Sequence, residues 1–382
     1  MKGEVNNEKL SLRILLLLRY SGSLFYFARL IFSYKVYTGP PFWWTIFFKE
    51  KVMKKFLSVL LIMVLVFSFM GCSNSGEKET GSDIFKIGVM QFGEFTALIN
   101  AYDGFLAGLK EGGLTEGVDF EIKYLSAAAD TANCPTIADT LINDGSDLIF
   151  AIATPSVSCA KEKTNSIPIL FTAVTDPVDS GIVSSNEVPG GNITGTSDMN
   201  PVAEQIDLVK ELLPNAKTVA VMYCSSESNS EVQYRLAKDE LDKLGLDCVV
   251  KTISAIDEAK SAIESLKGKV DAIYIPTDNT LADGMALVSK TANECGIPIV
   301  ASEPGQVEGG ATITYGIDYF ELGKKTAEMA IEILKSDNPL EKTKNMPVQF
   351  QTEECVTAIN QESVDTLKLD VPKSIMDRAV IY

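Results

Sequence analysis

The stretch DLIFAIATPSVSCAKEKTNSIPILFTAVTDPV, residues 147–178, decides the fold. Leu148–Ile152 and Ile167–Ala173 are short apolar runs rich in Ile and Phe, separated by a helix-length segment that opens at Thr154-Pro155 and closes near Asn165. Strand, helix and strand in that order make a parallel βαβ unit, because parallel strands need a long crossover. In open parallel sheets a ligand sits outside the carboxyl ends of the strands. Ala153-Thr154-Pro155-Ser156 and Thr175-Asp176-Pro177 are therefore expected to face one cleft.

Upstream of this unit, FKIGVMQF (85–92) reads as a strand and 97–110 as a helix with Leu98, Tyr102, Phe105, Leu106 and Leu109 on one face. FEIKYLSA (120–127) is the next strand, followed by a helix over 131–143. A Pro/Gly/Asn-rich stretch, 181–195, reads as surface. Downstream, KTVAVMY (217–223) begins a second run: helix 229–244, strand 247–253, helix 256–266, strand 271–275, helix 281–295, strand 297–302. The two runs share phrases, DLIFAIATPS with IPILFTAV in the first and DAIYIPTDN with IPIVASEP in the second. The expected fold class is α/β, with two Rossmann-like lobes on parallel central sheets, a ligand cleft between them and three crossing segments. We expect one lobe from 84–197 and 311–345 and the other from 198–310 and 346–382, with 345–356 forming a last strand pair.

Composition narrows the chemistry. The 382 residues are 46% apolar, enough for a large core, and contain no histidine. Histidine metal sites, Ser/His triads and Cys/His dyads are thereby excluded, and neither a metal site nor a cofactor nor catalytic residues are expected. Residues 73–382 carry 24 Lys and Arg against 48 Asp and Glu, a net of −24. Nucleic acid is therefore not a partner to expect, since neutralising phosphates needs the opposite sign. The seven cysteines show no CxxC and no zinc spacing; those after Cys72 read as small buried residues, with Cys134 and Cys159 the pair to test for a disulfide.

The first eighty residues read as an address. Residues 53–71 hold two lysines, a long apolar run and then Phe69-Met70-Gly71 before Cys72, which resembles a bacterial lipobox with Cys72 lipidated. Residues 72–83 are a polar linker. Residues 1–52 are basic and aromatic without a packing period, and Lys49-Glu50 can be encoded by a ribosome-binding sequence just ahead of Met53. They are expected to be an upstream extension mis-assigned to the protein, with translation starting at Met53.

The phrases ITGTSDMNPVAEQIDLVKELLPNAKTVAVMY, SSESNS, VDAIYIPTDNT and TYGIDYFELGKKTAEMAIEIL resemble the TrpX-like substrate-binding proteins of ABC transporters, over almost everything from Phe85 onward. That resemblance implies the type I periplasmic-binding-protein fold, an aromatic amino-acid ligand, and an ABC permease and its ATPase as partners. At 91–100, QFGEFTALIN departs from it. Relatives tend to carry a Glu-His-Pro phrase and a following Asp where this chain has Glu94-Phe95-Thr96 and Asn100. The Phe95 ring makes that corner more apolar or stacks on an aromatic ligand, so tryptophan is not assumed.

A free amino acid needs acceptors for its ammonium, donors for its carboxylate and an apolar wall. Asp278, followed by Asn279, is the expected ammonium partner, with capping of the following helix as its other role. Thr154 and Ser156, flanking Pro155 at a helix start, suit the carboxylate, again with capping as the alternative. Thr175, Asp176, Ser226, Asn229 and Glu303 follow strand ends, Gln91 and Glu94 flank the first, and Tyr315 and Asp318 lie at a crossing; all are candidate ligand residues.

The expected function is an extracytoplasmic, lipid-anchored, monomeric solute receptor of an ABC importer that closes on an aromatic or other hydrophobic amino acid. The alternatives are a sensor of the same fold acting on a separate signalling partner, and a receptor for a different small solute. A repressor lacks its helix-turn-helix, and an enzyme lacks both a GxSxG elbow and a phosphate-cradling loop.

Overall fold

The computed structural model describes residues 84–351 and 355–382, and Gly81–Tyr382 forms one compact unit. The expected extension 1–52, the leader 53–71, Cys72 and the linker 72–83 lie outside the described residues.

The first lobe is built by β1 (Phe85–Gln91), α1 (Thr96–Glu111), β2 (Phe120–Ser126), α2 (Cys134–Asn143), β3 (Leu148–Ile152), α3 (Thr154–Lys163), β4 (Ile169–Val174) and β5 (Ile193–Ser197). Strands β3, β4 and β5 are buried at every position, as parallel strands covered by helices on both faces must be. The edge strand β2 is only half covered. Helix α1 carries Leu98, Ala101, Phe105 and Leu109 inward, and the Phe105 and Phe150 rings stack with centroids 4.0 Å apart, fixing α1 on β3.

The second lobe follows with α4 (Val202–Leu212), β6 (Thr218–Cys224), α5 (Ser228–Leu244), β7 (Asp247–Ile253), α6 (Ala259–Glu264), β8 (Ala272–Ile275), α7 (Asn279–Asp283), α8 (Met285–Cys295), β9 (Ile299–Ala301), α9 (Pro304–Glu308) and β10 (Ile313–Gly316). The single helix expected over 281–295 is two, turned at Gly284, a poor residue for a helix interior. After β10 come α10 (Tyr319–Leu334), α11 (Pro339–Asn345), β11 (Gln349–Phe350), β12 (Val356–Ile359), α12 (Gln361–Leu367), α13 (Lys373–Met376) and β13 (Ala379–Ile381).

Two sheets result, in the orders β11-β5-β4-β3-β1-β2 and β13-β12-β10-β9-β8-β6-β7. Every pairing is parallel except β10 with β12. Strand pairing moves two boundaries from where the sequence put them. Strand β10 pairs with β9, so the second crossing falls after Gly316 and not before 311. Strand β11 pairs with β5, so the third falls after Phe350 and not at 345. The expected strand pair over 345–356 is thus split between the lobes.

Helix α10 returns to the first lobe, where Leu322, Ala327, Ala330 and Ile333 bury against its core. Each large side chain so buried contributes about 1.5–3 kcal/mol. The approach to α1 is close: a Cβ on Gly323 would lie 2.1 Å from the Ala101 carbonyl oxygen. The crossings are laced together, Ile317 N donating to Asn200 Oδ1 at 3.0 Å and Asp318 N to Gln351 Oε1 at 2.9 Å.

Candidate ligand-binding cleft

Each sheet reverses its strand order once, between β1 and β3 in the first and between β6 and β8 in the second. The carboxyl ends flanking these switch points are where open α/β sheets hold ligands. They face each other across a gap lined from the first lobe by Phe95, Ala97, Leu98, Thr154, Ala173, Thr175 and Asp198, and from the second by Asn229, Thr277, Asp278, Asn279, Ala282, Glu303 and Gln306, with Tyr319 at the crossing. About 330 Å³ of non-atom space lies there, but room for the centre of a water molecule amounts to only about 10 Å³, so the lobes stand nearly shut. The contact that shuts them includes Gly305, where a Cβ would come 2.9 Å from Thr96 Cβ and 3.1 Å from Ala97 N across the gap.

Of the expected residues, Phe95, Thr154, Thr175, Asn229, Asp278, Asn279 and Glu303 meet at this gap. The others do not line it. Gln91 folds its amide onto the Gly93 carbonyl, and Glu94 and Ser226 are exposed. Pro155 sits in the first turn of α3, and Ser156 is buried beside the Cys134 thiol. Asp176 accepts from Val178 N and Asp179 N, shaping its own turn. Asp318 caps α10 through Phe320 N and Glu321 N, and Tyr315 packs on the second-lobe core.

Four carboxyls are buried at or just behind the wall, which holds no Lys or Arg. Asp278 is engaged on both oxygens: Oδ1 accepts from Leu281 N at 2.9 Å, and Oδ2 from Cys224 N at 2.7 Å and Ser230 Oγ at 2.8 Å. Burial, then the neighbouring Glu227, push its carboxyl up to about 8 against those bonds. Glu303 caps α9 through Gly305 N and Gln306 N, and burial pushes it up to about 7. Glu227 gathers donors from Asn229, Asn279 and Thr280.

Asp198, which the sequence reading passed over, is different. Its Oδ2 accepts the Tyr319 hydroxyl at 2.6 Å, while Oδ1 is buried with no hydrogen-bond partner. Among the described residues no other carboxylate oxygen is left that way. Burial pushes its carboxyl above the usual range, outweighing the Tyr319 bond and the pull of the nearby Thr175 hydroxyl, which does not reach hydrogen-bonding geometry with Oδ1. Burial also drives the Tyr319 phenol far up, so it stays a donor. Asp198 follows β5 directly, in the stretch ITGTSD. Its signal was a carboxylate at the end of a β-branched run.

On the same first-lobe wall, α3 begins without a side-chain cap, since the residue before it is Ala153 at φ 76°, ψ 148°. That conformation is costly for a residue with a Cβ and is typical of functional sites. It leaves the first-turn N–H groups of Thr154 and Ser156 available to an anion, with the helix dipole behind them. Cys134, Cys159, Cys224, Cys248 and Cys295 carry free thiols, so Cys134 and Cys159 are not bridged. Burial pushes the Cys134 thiol up to about 11, which makes it inert.

The family model described as ABC transporter substrate binding protein matches residues 86–381. A tyrosine-binding protein of Clostridioides difficile is 41% identical over 334 residues, 85% of this chain and 94% of that protein. Among solved structures, an ABC domain from Streptococcus pneumoniae in complex with L-Trp is 32% identical with a TM-score of 0.74. The ligand-free, open structure of a Clostridium difficile substrate binding protein with adhesive properties is 39% identical with a TM-score of 0.62. Both cover 78% of this chain and 99% of theirs. Sugar- and leucine-binding transport proteins under 25% identical share the fold alone.

Proposed function

We propose that this chain, which belongs to the ABC transporter substrate-binding protein family and so is a binding protein and not an enzyme, closes its two lobes on a free aromatic amino acid. The observation that carries the proposal is Asp198 Oδ1, a buried carboxylate oxygen without a partner in a gap that has no lining cation. An uncompensated buried charge is expensive, and an incoming ammonium group is the partner it lacks. The ligand carboxylate would then meet the start of α3 at Thr154 with help from Thr175. Phe95, Ala97, Leu98, Ala173 and Ala282 supply an apolar wall for a ring.

The named relatives support this class, one by its tyrosine and one by its bound L-Trp. The chain also superposes better on the L-Trp complex than on the open structure, although the latter is closer in sequence. That is what a nearly shut pair of lobes gives. Asp278, with both oxygens spent, belongs to the framework; Glu303 does too.

On this reading the protein works outside the cytoplasm as a monomer, held to the membrane through lipidated Cys72, and hands its ligand to an ABC permease and its ATPase. Among the described residues no helix is long and apolar enough to cross a membrane. Isothermal titration of the purified protein with the twenty amino acids tests the ligand class. Binding of tyrosine, tryptophan or phenylalanine at micromolar or lower Kd is expected. No response to any of the three, with binding of a solute that has no amine, would overturn it.

A further inference from the structure

Glu227 lies just behind the second-lobe wall, where five donor contacts converge on its two oxygens. Thr280 N and Oγ1 reach Oε1, each at 2.8 Å, and Asn279 N and Nδ2 reach Oε2 at 2.8 and 2.7 Å, with Asn229 Nδ2 at 3.1 Å. Two of these are backbone N–H groups, which can only donate, so the carboxylate acts as an acceptor. An amide carbonyl turned toward it would set acceptor against acceptor. The Asn279 side chain must therefore present Nδ2 to Glu227. Asn229 is held the same way twice over, because its Nδ2 also donates to the Thr277 carbonyl at 2.8 Å.

Both asparagines line the gap. With each NH₂ turned away, each Oδ1 is left without a hydrogen bond among the described residues. We propose that Glu227 is a specificity-positioning residue: by fixing the Asn279 amide it presents a carbonyl oxygen, beside that of Asn229, as an acceptor for a hydrogen-bond donor on the ligand's side chain. The inference rests on the aromatic amino-acid reading and narrows it. The favoured ligands carry an O–H or N–H on the ring, as a phenol or an indole does, and phenylalanine is disfavoured because it leaves the acceptors dry and unpaired. A site built to hydrogen-bond a substrate group discriminates against the analogue lacking it far more strongly than an apolar pocket discriminates by size.

The test is a set of titrations of the full protein with tyrosine, tryptophan and phenylalanine. Wild type should bind tyrosine or tryptophan at least about tenfold more tightly than phenylalanine. Glu227→Gln, whose new NH₂ draws the Asn279 carbonyl toward itself, should cut that ratio several-fold, with the loss falling on the ligand that has a donor. Asn279→Ala should do the same while keeping the Asn279 N and Thr280 bonds to Glu227, which makes it the safer variant if Glu227→Gln folds poorly. Equal binding of all three ligands by wild type overturns the inference, as does a ratio unchanged in both variants. In either case the amino-acid reading stands. If none of the three binds, that reading fails and takes this one with it.

Discussion

Replacing Asp198 by asparagine should separate two quantities that usually move together, weakening ligand binding while leaving the free protein at least as stable. Asparagine keeps the shape and one acceptor, so the Tyr319 hydroxyl, 2.6 Å from Oδ2, retains its partner. What disappears is a buried negative charge whose second oxygen has no donor. In the free protein that charge is a burden, because burial already pushes the carboxyl above its usual range. In the proposed complex it would be the ammonium's counter-ion, and removing one partner of a desolvated charge pair costs about 2–5 kcal/mol. At about 1.4 kcal/mol per factor of ten, Kd should rise roughly thirtyfold to several thousandfold. Calorimetric titration gives Kd, and melting of the ligand-free protein gives the other half. Asp278→Asn is the control: with both oxygens spent on Leu281, Cys224 and Ser230, it should change Kd less than threefold. A reversed outcome, with Asp198→Asn binding normally and Asp278→Asn binding nothing, would refute the assignment of the ammonium site.

Two further perturbations probe the walls. Burial raises Glu303 from 4.5 to about 7, so the folded chain holds that proton more tightly than the unfolded one. The resulting stability is full below pH 4.5 and is lost as pH rises through 7, about 3 kcal/mol in all. Glu303→Gln should flatten that part of the profile of Tm against pH, at the cost of one capping bond; an unaltered slope would show that Glu303 is not its source. Gly305→Val should wedge the closed lobes apart, since its Cβ meets Thr96 and Ala97 across the gap. The same Cβ also meets Glu303 Oε2 at 2.8 Å within its own lobe, a strain that open and closed forms share. The part of an overpacking cost of about 1–3 kcal/mol that falls across the gap is what weakens binding, by up to about a hundredfold. In solution scattering, the variant should lose the ligand-induced fall in radius of gyration.

The βαβ grammar was legible because β3 and β4 are continuous apolar runs bounded by polar turns, and burial on both faces demands that composition. Thr154 and Thr175 could be placed at the cleft for the same reason, since a strand's end fixes where its next residue goes. Asp198 could not. Strand β5 reads ITGTS after Pro189-Gly190-Gly191-Asn192, and its threonines and glycine look like loop until β4 and β11 close on either side of it. Nor does sequence choose between the two roles of Asp278. That choice depends on whether Cys224 N and Ser230 Oγ, about fifty positions away, reach its oxygens. The displaced boundaries have a related cause: ATITY and PVQF carry no mark of which sheet will take them, and only the strand edges left open by β9 and β5 decide.

If Asp198 takes the ligand's ammonium as proposed, the same carboxylate also makes closure depend on the ligand. In a shut, ligand-free protein Asp198 Oδ1 is sealed from water without a donor, which costs about 1–3 kcal/mol or more for a charged group. Opening returns it to water, whereas the fit of Gly305 against Thr96 and Ala97 favours staying shut. An ammonium group removes the first term and leaves the second. Moving a two-state equilibrium from 1:99 to 99:1 takes about 5.5 kcal/mol of differential binding, within reach of one desolvated charge pair and a few hydrogen bonds that exist only in the shut form. The amine is then the trigger, and ring and carboxylate are what it brings along. An aromatic carboxylic acid with the same ring but no amine should enter the open cleft weakly and leave the radius of gyration unchanged at saturation, while the parent amino acid contracts it. Contraction by both would place the trigger at the start of α3 and not at Asp198.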